Sequence, residues 1–221
     1  SGHMDTVIPC DKVKAIISDT KITSDGTSVL GSDDKAAIAM FIEAFEYIKE
    51  NKIKHGDIEI LLTCAEEQGL KGIKGFDLSV LMAKYGFVFD SSGSIGKVIV
   101  KAPYHSNMTI TIKGKASHAG MAPEKGINAI RVLSEIISQI PQGRIDEETT
   151  ANVGIISGGR ATNIVPEEAQ CQLEVRSIDQ KKMLAVEKEI KETVKKICSQ
   201  YRAKSTIERT LEYAGFKISP E

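Results

Sequence analysis

The stretch MTITIKG (residues 108–114) alternates apolar and polar side chains, and the elements that follow it decide the predicted fold. Alternation with a period of two predicts a strand with one buried face. Downstream patterns predict, in order, a helix at 126–140, strands at 152–157 and 168–177, a helix at 179–200 and a strand at 204–213. The order β-α-β-β-α-β predicts a ferredoxin-like unit, in which two helices cover one face of a four-stranded antiparallel sheet.

Both predicted helices in this part of the chain carry a continuous apolar stripe. The first stripe consists of Ile127, Ile130, Leu133, Ile137 and Ile140, and the second of Met183, Val186, Ile190, Val194 and Ile197. Asp179 comes just before the second stripe, where an aspartate side chain can accept a hydrogen bond from a free backbone N–H. We therefore predict that Asp179 is the N-cap of this helix.

The N-terminal half follows a different pattern, in which short apolar strands alternate with a helix. Residues 34–50 are predicted to be helical, from an apolar stripe of Ile38, Phe41, Phe45 and Ile48. The apolar runs at 58–64 and 86–90 are typical of buried strands in a mostly parallel sheet. This half is therefore predicted to be α/β, with a domain boundary near residues 102–103.

The composition excludes several classes of partner. The chain has 29 basic and 30 acidic residues, a net charge of −1, and no basic block that would bind nucleic acid or a membrane surface. Its apolar runs are too short to cross a bilayer. The four cysteines are far apart and form no C-x-x-C pair, which indicates reduced thiols in a cytoplasmic protein. Cys64 and Cys198 lie at apolar-patterned positions and are predicted to be core residues, whereas Cys10 and Cys171 stay undecided.

Acidic and histidine side chains follow the predicted strands, at the edge of a parallel sheet where ligands bind. They are His3 and Asp5 in GHMDTV, Asp33 and Asp34 in LGSDDKAA, Glu66 and Glu67 in TCAEEQG, and Asp90 in FVFDSSG. One histidine with several carboxylates suits zinc, and also manganese or cobalt. The excess of negative charge favours two cations, which together assist hydrolysis.

Each of these motifs also has a structural explanation. A His-x-Asp pair is common, adjacent glutamates usually lie on a solvated helix face, and an Asp-Asp pair before a helix is often an N-cap. Their joint occurrence at strand ends in one half of the chain favours the metal site.

Seven motifs then give the sequence a family resemblance. They are SGHMDTV, GSDDKAAIA, TCAEEQGLKG, FDSSG, GKASHAG, GGRATNIVP and LEVRS, in that order along nearly the whole chain. The sequence resembles the dizinc exopeptidase family of peptidase T, glutamate carboxypeptidase and the aminoacylases, and is most similar to its peptidase T-like branch.

The resemblance implies roles for the acidic cluster. His3 and Asp90 would bind one zinc ion, Glu67 the other, and Asp33 would bridge the two. Asp5 would orient His3, and Glu66 would be the general base. The peptide bond between Asp33 and Asp34 corresponds to a family position that is typically cis.

The resemblance also implies that residues 104–215 are a lid and dimerisation domain, so that the protein is expected to be a homodimer. His118 would stabilise an oxyanion in a neighbouring active site, while Asn163 and Arg176 would hold substrate, Arg176 at a carboxylate. His55 and His105 match no family position and are predicted to lie at the surface.

In the family, a histidine downstream of the lid completes the second zinc site, and this sequence ends before it. The resemblance therefore implies part of a catalytic domain at 1–103, the lid at 104–215, and the start of a return to the catalytic domain at 216–221. The expected activity is tripeptide aminopeptidase-like hydrolysis of short peptides by a zinc-activated water. Two alternatives stay open: an acylase or carboxypeptidase of the same family, and a dimerisation or binding fragment without catalysis.

Overall fold

A computed structural model describes residues 1–218 and divides the chain into two compact units, Ser1–Lys97 and Val98 onward. Each unit is described separately below. Residues 219–221, the end of the predicted return segment, lie outside the described residues. Within residues 1–218, no helix has the length and apolar character needed to cross a lipid bilayer.

The second unit is built on an antiparallel sheet whose long strands match the predicted order. Its strands are β5 (Lys101–Ala102), β6 (Tyr104–Lys113), β7 (Gly143–Arg144), β8 (Thr149–Gly158), β9 (Glu168–Ser177), β10 (Lys204–Tyr213) and β11 (Phe216–Lys217). The main sheet has the order β10-β6-β9-β8-β7, and β5 pairs separately with β11. The ferredoxin-like prediction is confirmed, with one difference. The short strand β7 adds a fifth member, pairing with Thr150 and Ala151 of β8.

Two helices, α3 (Ala129–Gln139) and α4 (Gln180–Tyr201), pack against this sheet. Leu133 and Ile136 of α3 and Ile190 and Ile197 of α4 are fully buried, together with alternate residues of β6 (Met108, Ile110 and Ile112). Asp179 caps α4, because its side chain accepts the Lys181 N–H at 2.7 Å. The predicted N-cap and the apolar stripe of α4 are therefore confirmed. The stripe predicted for the first helix is confirmed only in part, because α3 begins at Ala129, Ile130 is 36% exposed, and the fully buried residues include Val132, Leu133 and Ile136.

One charged group, Glu187 of α4, is buried in this unit with 2% of its surface exposed. Its Oε1 accepts the Ser106 hydroxyl at 2.6 Å and the Arg209 Nε–H at 3.1 Å. These partners satisfy the carboxylate, and they connect α4 to strands β6 and β10.

The first unit contains α1 (Ser32–Glu50) and several short elements. These are β1 (Gly2–His3), β2 (Ala15–Ile17), β3 (Ile22–Ser24), β4 (Leu62–Thr63) and α2 (Lys71–Lys74). β1 and β4 pair in parallel, with His3 opposite Thr63, whereas β2 and β3 form an antiparallel hairpin. The α/β prediction holds for this unit, although its sheets are small.

Of two strand predictions in this unit, one was too long and the other was wrong. The expected strand at 58–64 is reduced to Leu62–Thr63, because β1 offers only two residues for the parallel ladder. Residues 86–90 form no regular strand, although Phe87 accepts the Ser1 amino group at 2.6 Å and Phe89 donates its N–H to Ser1 at 3.0 Å. This pairing nevertheless brings Asp90 beside the start of the chain.

Candidate functional site

The predicted metal ligands of the first unit gather around His3, whose surface is only 2% exposed. Its Nε2 lies 3.0 Å from Asp33 Oδ1 and 4.0 Å from Glu66 Oε2. Its Nδ1 lies 3.0 Å from the backbone oxygen of Asp5. That carbonyl can only accept, so in the neutral ring Nδ1 carries the hydrogen and Nε2 has the lone pair that a metal ligand requires.

Asp33 and Asp34 begin α1 with backbone angles that are not helical, and a cis peptide bond joins them. The cis bond expected from the resemblance is therefore present. Asp33 is exposed and reaches His3, whereas Asp34 is buried and its Oδ2 accepts the His3 N–H at 3.1 Å. A side chain at Gly2 would place its Cβ 2.5 Å from this Asp34 oxygen, so only glycine fits there.

The roles of Asp34 and Gly2 were missed from the sequence. The double aspartate marked the start of a helix, but nothing local showed that its second member would bind a strand 31 residues away. Only the preference of aspartate for helix starts pointed to this position.

Asp5 mainly positions the glutamate pair. Its Oδ1 accepts the Glu66 N–H at 3.0 Å and its Oδ2 accepts the Glu67 N–H at 3.1 Å, while its carboxylate is 3.5 Å from His3 Nδ1. Burial raises the pKa of Asp5, but the hydrogen bonds from the Glu66 and Glu67 amides outweigh it, so that the pKa lies below its usual range. Asp5 thus connects the His3 strand to the turn that carries the glutamates.

The ligand atoms fall into two groups, each with its members within 4.8 Å of one another: His3 with Asp33 and Asp90, and His3 with Glu66 and Glu67. An imidazole nitrogen and carboxylate oxygens at this separation fit zinc and other divalent cations. His3 belongs to both groups but has one unprotonated nitrogen, so it can complete one of them at a time.

The electrostatics of the cluster follow from crowded negative charge. Burial raises the pKa of Glu66, and the charge of Asp90 raises it further. Burial and the neighbouring Asp33 raise the pKa of Asp90 in the same way. Burial lowers the pKa of His3, but the hydrogen bond to Asp33 and the charges of Asp90 and Glu66 outweigh it, so that the pKa is raised overall. A cation would relieve all of this repulsion.

In the second unit, His118 and Asn163 lie in adjoining loops. Ala119 donates its N–H to the Asn163 backbone oxygen at 3.0 Å, and His118 forms an antiparallel bridge with Ile164. The two loops that carry His118 and Asn163, both predicted to bind substrate, are therefore joined through their backbones.

Arg176, on β9, is largely occupied by neighbours. Its Nε and Nη2 donate to the two carboxylate oxygens of Glu174 at 3.0 and 2.9 Å, and its Nη1 donates to the Tyr213 hydroxyl at 3.3 Å. Three of its five N–H groups are used, so two are left for a ligand. Glu174 was missed, although the period-two rule for strands places it on the same face as Arg176.

Two predictions about exposure were wrong. His105 is buried rather than at the surface, because strand pairing puts it between Arg176 of β9 and Tyr213 of β10. Cys64 is exposed rather than in the core, since it lies just after the short strand β4. Cys198 is buried as predicted, and the undecided Cys171 is buried as well.

Known proteins resemble this chain in sequence and in fold. Residues 104–202 match the family described as a peptidase dimerisation domain. The chain is 37% identical over 190 residues to Peptidase T of Fusobacterium nucleatum, a match that covers 86% of this chain and 45% of the relative.

Two solved structures match almost the whole chain. An aminopeptidase PepT from Bacillus cereus is 43% identical with a TM-score of 0.96, covering 99% of this chain and 59% of that one. A tripeptidase from Staphylococcus aureus is 39% identical with a TM-score of 0.93, covering 99% and 58%. The chain thus spans roughly half the length of the curated relatives and structures that it matches.

Proposed function

The chain is a peptidase T-like member of the peptidase family that carries this dimerisation domain, and from that premise we propose that it belongs to a metal-dependent exopeptidase of short peptides. The observation that carries the proposal is the cluster at His3. A ring nitrogen of this buried imidazole lies within 4.8 Å of a carboxylate oxygen of Asp33, Asp90, Glu66 and Glu67.

The donor set supports a resident divalent ion, with zinc preferred and manganese or cobalt as substitutes. His3, Asp33 and Asp90 would hold one ion, and Glu67 with Asp33 would contribute to a second. When bound, such ions lower the pKa of water and polarise a carbonyl group. Asp34 would fix the strand that carries His3, through the backbone N–H of His3.

Glu66 is proposed as the general base. Its raised pKa brings the carboxylate closer to the range in which it can accept a proton and return it to the leaving amine. Asp5 holds the backbone of Glu66, so the carboxylate starts from a fixed position.

In the second unit, His118 would donate a hydrogen bond to the oxyanion, Asn163 would hold the substrate, and Arg176 would bind its carboxylate through the two N–H groups that Glu174 and Tyr213 leave free. The chemistry would be peptide hydrolysis with release of one terminal residue. The relatives named aminopeptidase and tripeptidase favour tripeptides over the substrates of acylases or carboxypeptidases.

The proposal is tested with the Glu66→Gln variant, which removes the base but keeps the size of the side chain. We expect tripeptide hydrolysis to fall by about 10²-fold or more, with metal content unchanged. The control is Glu46→Gln, which replaces an exposed carboxylate of α1. Turnover that survives in Glu66→Gln would show that another group is the base.

A homodimer through the second unit is the companion proposal, and it also covers the alternative of a dimerisation fragment without catalysis. β7 pairs with two residues of β8, so residues 152–158 form a free edge among the described strands, and Ile155 and Ile156 on it are more than half exposed. The opposite edge, β10, carries Lys204, Glu208 and Arg209, and charged side chains discourage strand pairing. The β8 edge therefore fits a second copy better.

From the cysteine spacing we also propose a cytoplasmic location.

A further inference from the structure

The loop that carries His118 fixes the hydrogen of its imidazole ring. The Gly120 N–H points at His118 Nδ1 from 3.2 Å and the Met121 N–H from 3.1 Å. The His118 backbone oxygen accepts the Ala122 N–H at 3.0 Å, which closes the turn. One ring nitrogen therefore faces two amide donors within a single tight turn.

A ring nitrogen that accepts hydrogen bonds cannot carry a hydrogen itself. Neutral imidazole has one N–H, so that hydrogen must be on Nε2. The His118 side chain is exposed, and within residues 1–218 no hydrogen bond or ion pair engages its Nε2. The ring consequently presents a free Nε2–H donor to the solvent side of the loop.

The backbone on both sides of His118 is also held by hydrogen bonds. Val165 donates its N–H to the Ser117 oxygen at 2.9 Å, and Ala119 donates to the Asn163 oxygen at 3.0 Å, on either side of the His118–Ile164 bridge. Gly126 packs against the same strip, because an added Cβ would lie 2.4 Å from Ser117 Oγ and 2.8 Å from Val165. The loop is therefore held from both sides of His118.

We propose that Gly120 and Met121 are positioning residues that hold His118 as a neutral Nε2–H donor. Its ligand is then an oxygen acceptor, a peptide carbonyl or the oxyanion formed from it, bound by a preset hydrogen bond and not by the charge of an imidazolium. The identity of the ligand rests on the proposed function, whereas the tautomer stands on the geometry of the loop alone. A donor fixed in advance needs no reorganisation when charge develops on the oxygen.

The tautomer is measured directly by long-range ¹H–¹⁵N correlation spectra of the chain labelled with ¹⁵N-histidine. The sequence has four histidines, and a His118→Gln spectrum identifies the His118 signals. The spectra are taken about two pH units above the ordinary histidine pKa of about 6.5. Two amide hydrogen bonds should give an excess of about tenfold or more of the Nε2–H form.

Met121→Pro removes one of the two amide donors and follows a glycine, which tolerates the backbone restriction before proline. We expect the Nε2–H excess to fall about fivefold, while Met121→Leu, which keeps the amide, leaves it unchanged. If Met121→Pro does not fold, the wild-type spectrum still shows which tautomer of His118 is present.

A dominant Nδ1–H form, or comparable amounts of both forms in the wild type, would overturn the proposal. Neither readout requires metal or turnover. Failure of this inference is therefore separate from failure of the proposed function.

Discussion

At the scale of single residues, the cluster depends on three aspartates that hold the candidate ligands by hydrogen bonds. Asp34 holds the backbone of His3, while its neighbour Asp33 reaches the ring of the same residue. Asp5 uses its backbone oxygen for His3 and its carboxylate for the glutamate turn. Replacing Asp5 would therefore disturb the positions of both glutamates.

Asp5→Ala tests this coupling. The change leaves the N–H groups of Glu66 and Glu67 without their acceptor, so we expect the free energy of unfolding of the first unit to fall by about 1–2 kcal/mol in urea denaturation. Asp5→Asn keeps one acceptor oxygen and should lose less. Equal stability of wild type and Asp5→Ala would show that these bonds contribute nothing measurable.

At this scale the sequence predicted which residues meet but not how. His3, Asp33, Glu66, Glu67 and Asp90 were placed at strand ends, and the structure brings them together. The amide bonds that Asp5 accepts join residues 61 and 62 positions apart, so they are a tertiary contact without a local pattern. The assignment of the five clustered side chains as metal ligands stays a prediction.

At the scale of elements, the second unit is held by the interface of α3 and α4 with the sheet. Ile190 is fully buried at this interface, whereas Leu184 of the same helix is 46% exposed. Truncating Ile190 would therefore remove buried packing contacts, whereas truncating Leu184 would remove far fewer.

Ile190→Ala should therefore destabilise the second unit by about 2–5 kcal/mol, because it removes buried methyl groups and leaves a cavity. Leu184→Ala is the matched control and should change stability by less than about 1 kcal/mol. Urea unfolding followed by circular dichroism measures both. Similar losses in the two variants would contradict the assignment of Ile190 to the core.

The turn between β7 and β8 makes a contribution to stability that depends on pH. The Glu148 N–H and the Lys182 ammonium group hold the pKa of Asp146 at about 2, below its usual 3.8. Because the folded pKa is lowered, Asp146 stabilises the fold above about pH 4 and loses that contribution as the pH falls towards 2.

Asp146→Asn should accordingly lower the thermal midpoint at pH 6, and the difference from wild type should shrink between pH 4 and 2. Glu147→Gln, at the neighbouring exposed position, should show no such trend. A difference that stays constant over this pH range would argue against the ion pair.

Elements with a strong local pattern were predicted well, and those that depend on partners were not. The periodicity and N-cap of α4 are local, and its observed bounds, Gln180–Tyr201, lie within one residue of the prediction. The strands at 58–64 and 86–90 depend on the length of their neighbours, which the sequence pattern does not show. His105 was misplaced for the same reason, since its burial comes from residues on two adjacent strands.

At the scale of the whole molecule, the two units differ in how much apolar surface they bury. The second has a continuous core between helices and sheet. The first leaves large apolar residues of α1 exposed, among them Met40, Ile42 and Tyr47. The second unit is therefore the better candidate to fold independently.

The proposed homodimer is tested at its edge strand. Ile155→Lys places a charge on the free edge of β8 and should convert the dimer to a monomer in sedimentation experiments. Thr206→Lys, on the opposite edge strand β10, should leave the dimer intact. Dissociation by Thr206→Lys alone would move the interface to β10.

The central claim is that the His3 cluster binds metal, and elemental analysis after dialysis against zinc tests it most directly. We expect about one or more zinc ions per wild-type chain, and a clear loss in His3→Ala, because both ligand groups include this imidazole. The absence of zinc from the wild type, or equal zinc in the two proteins, would contradict the account.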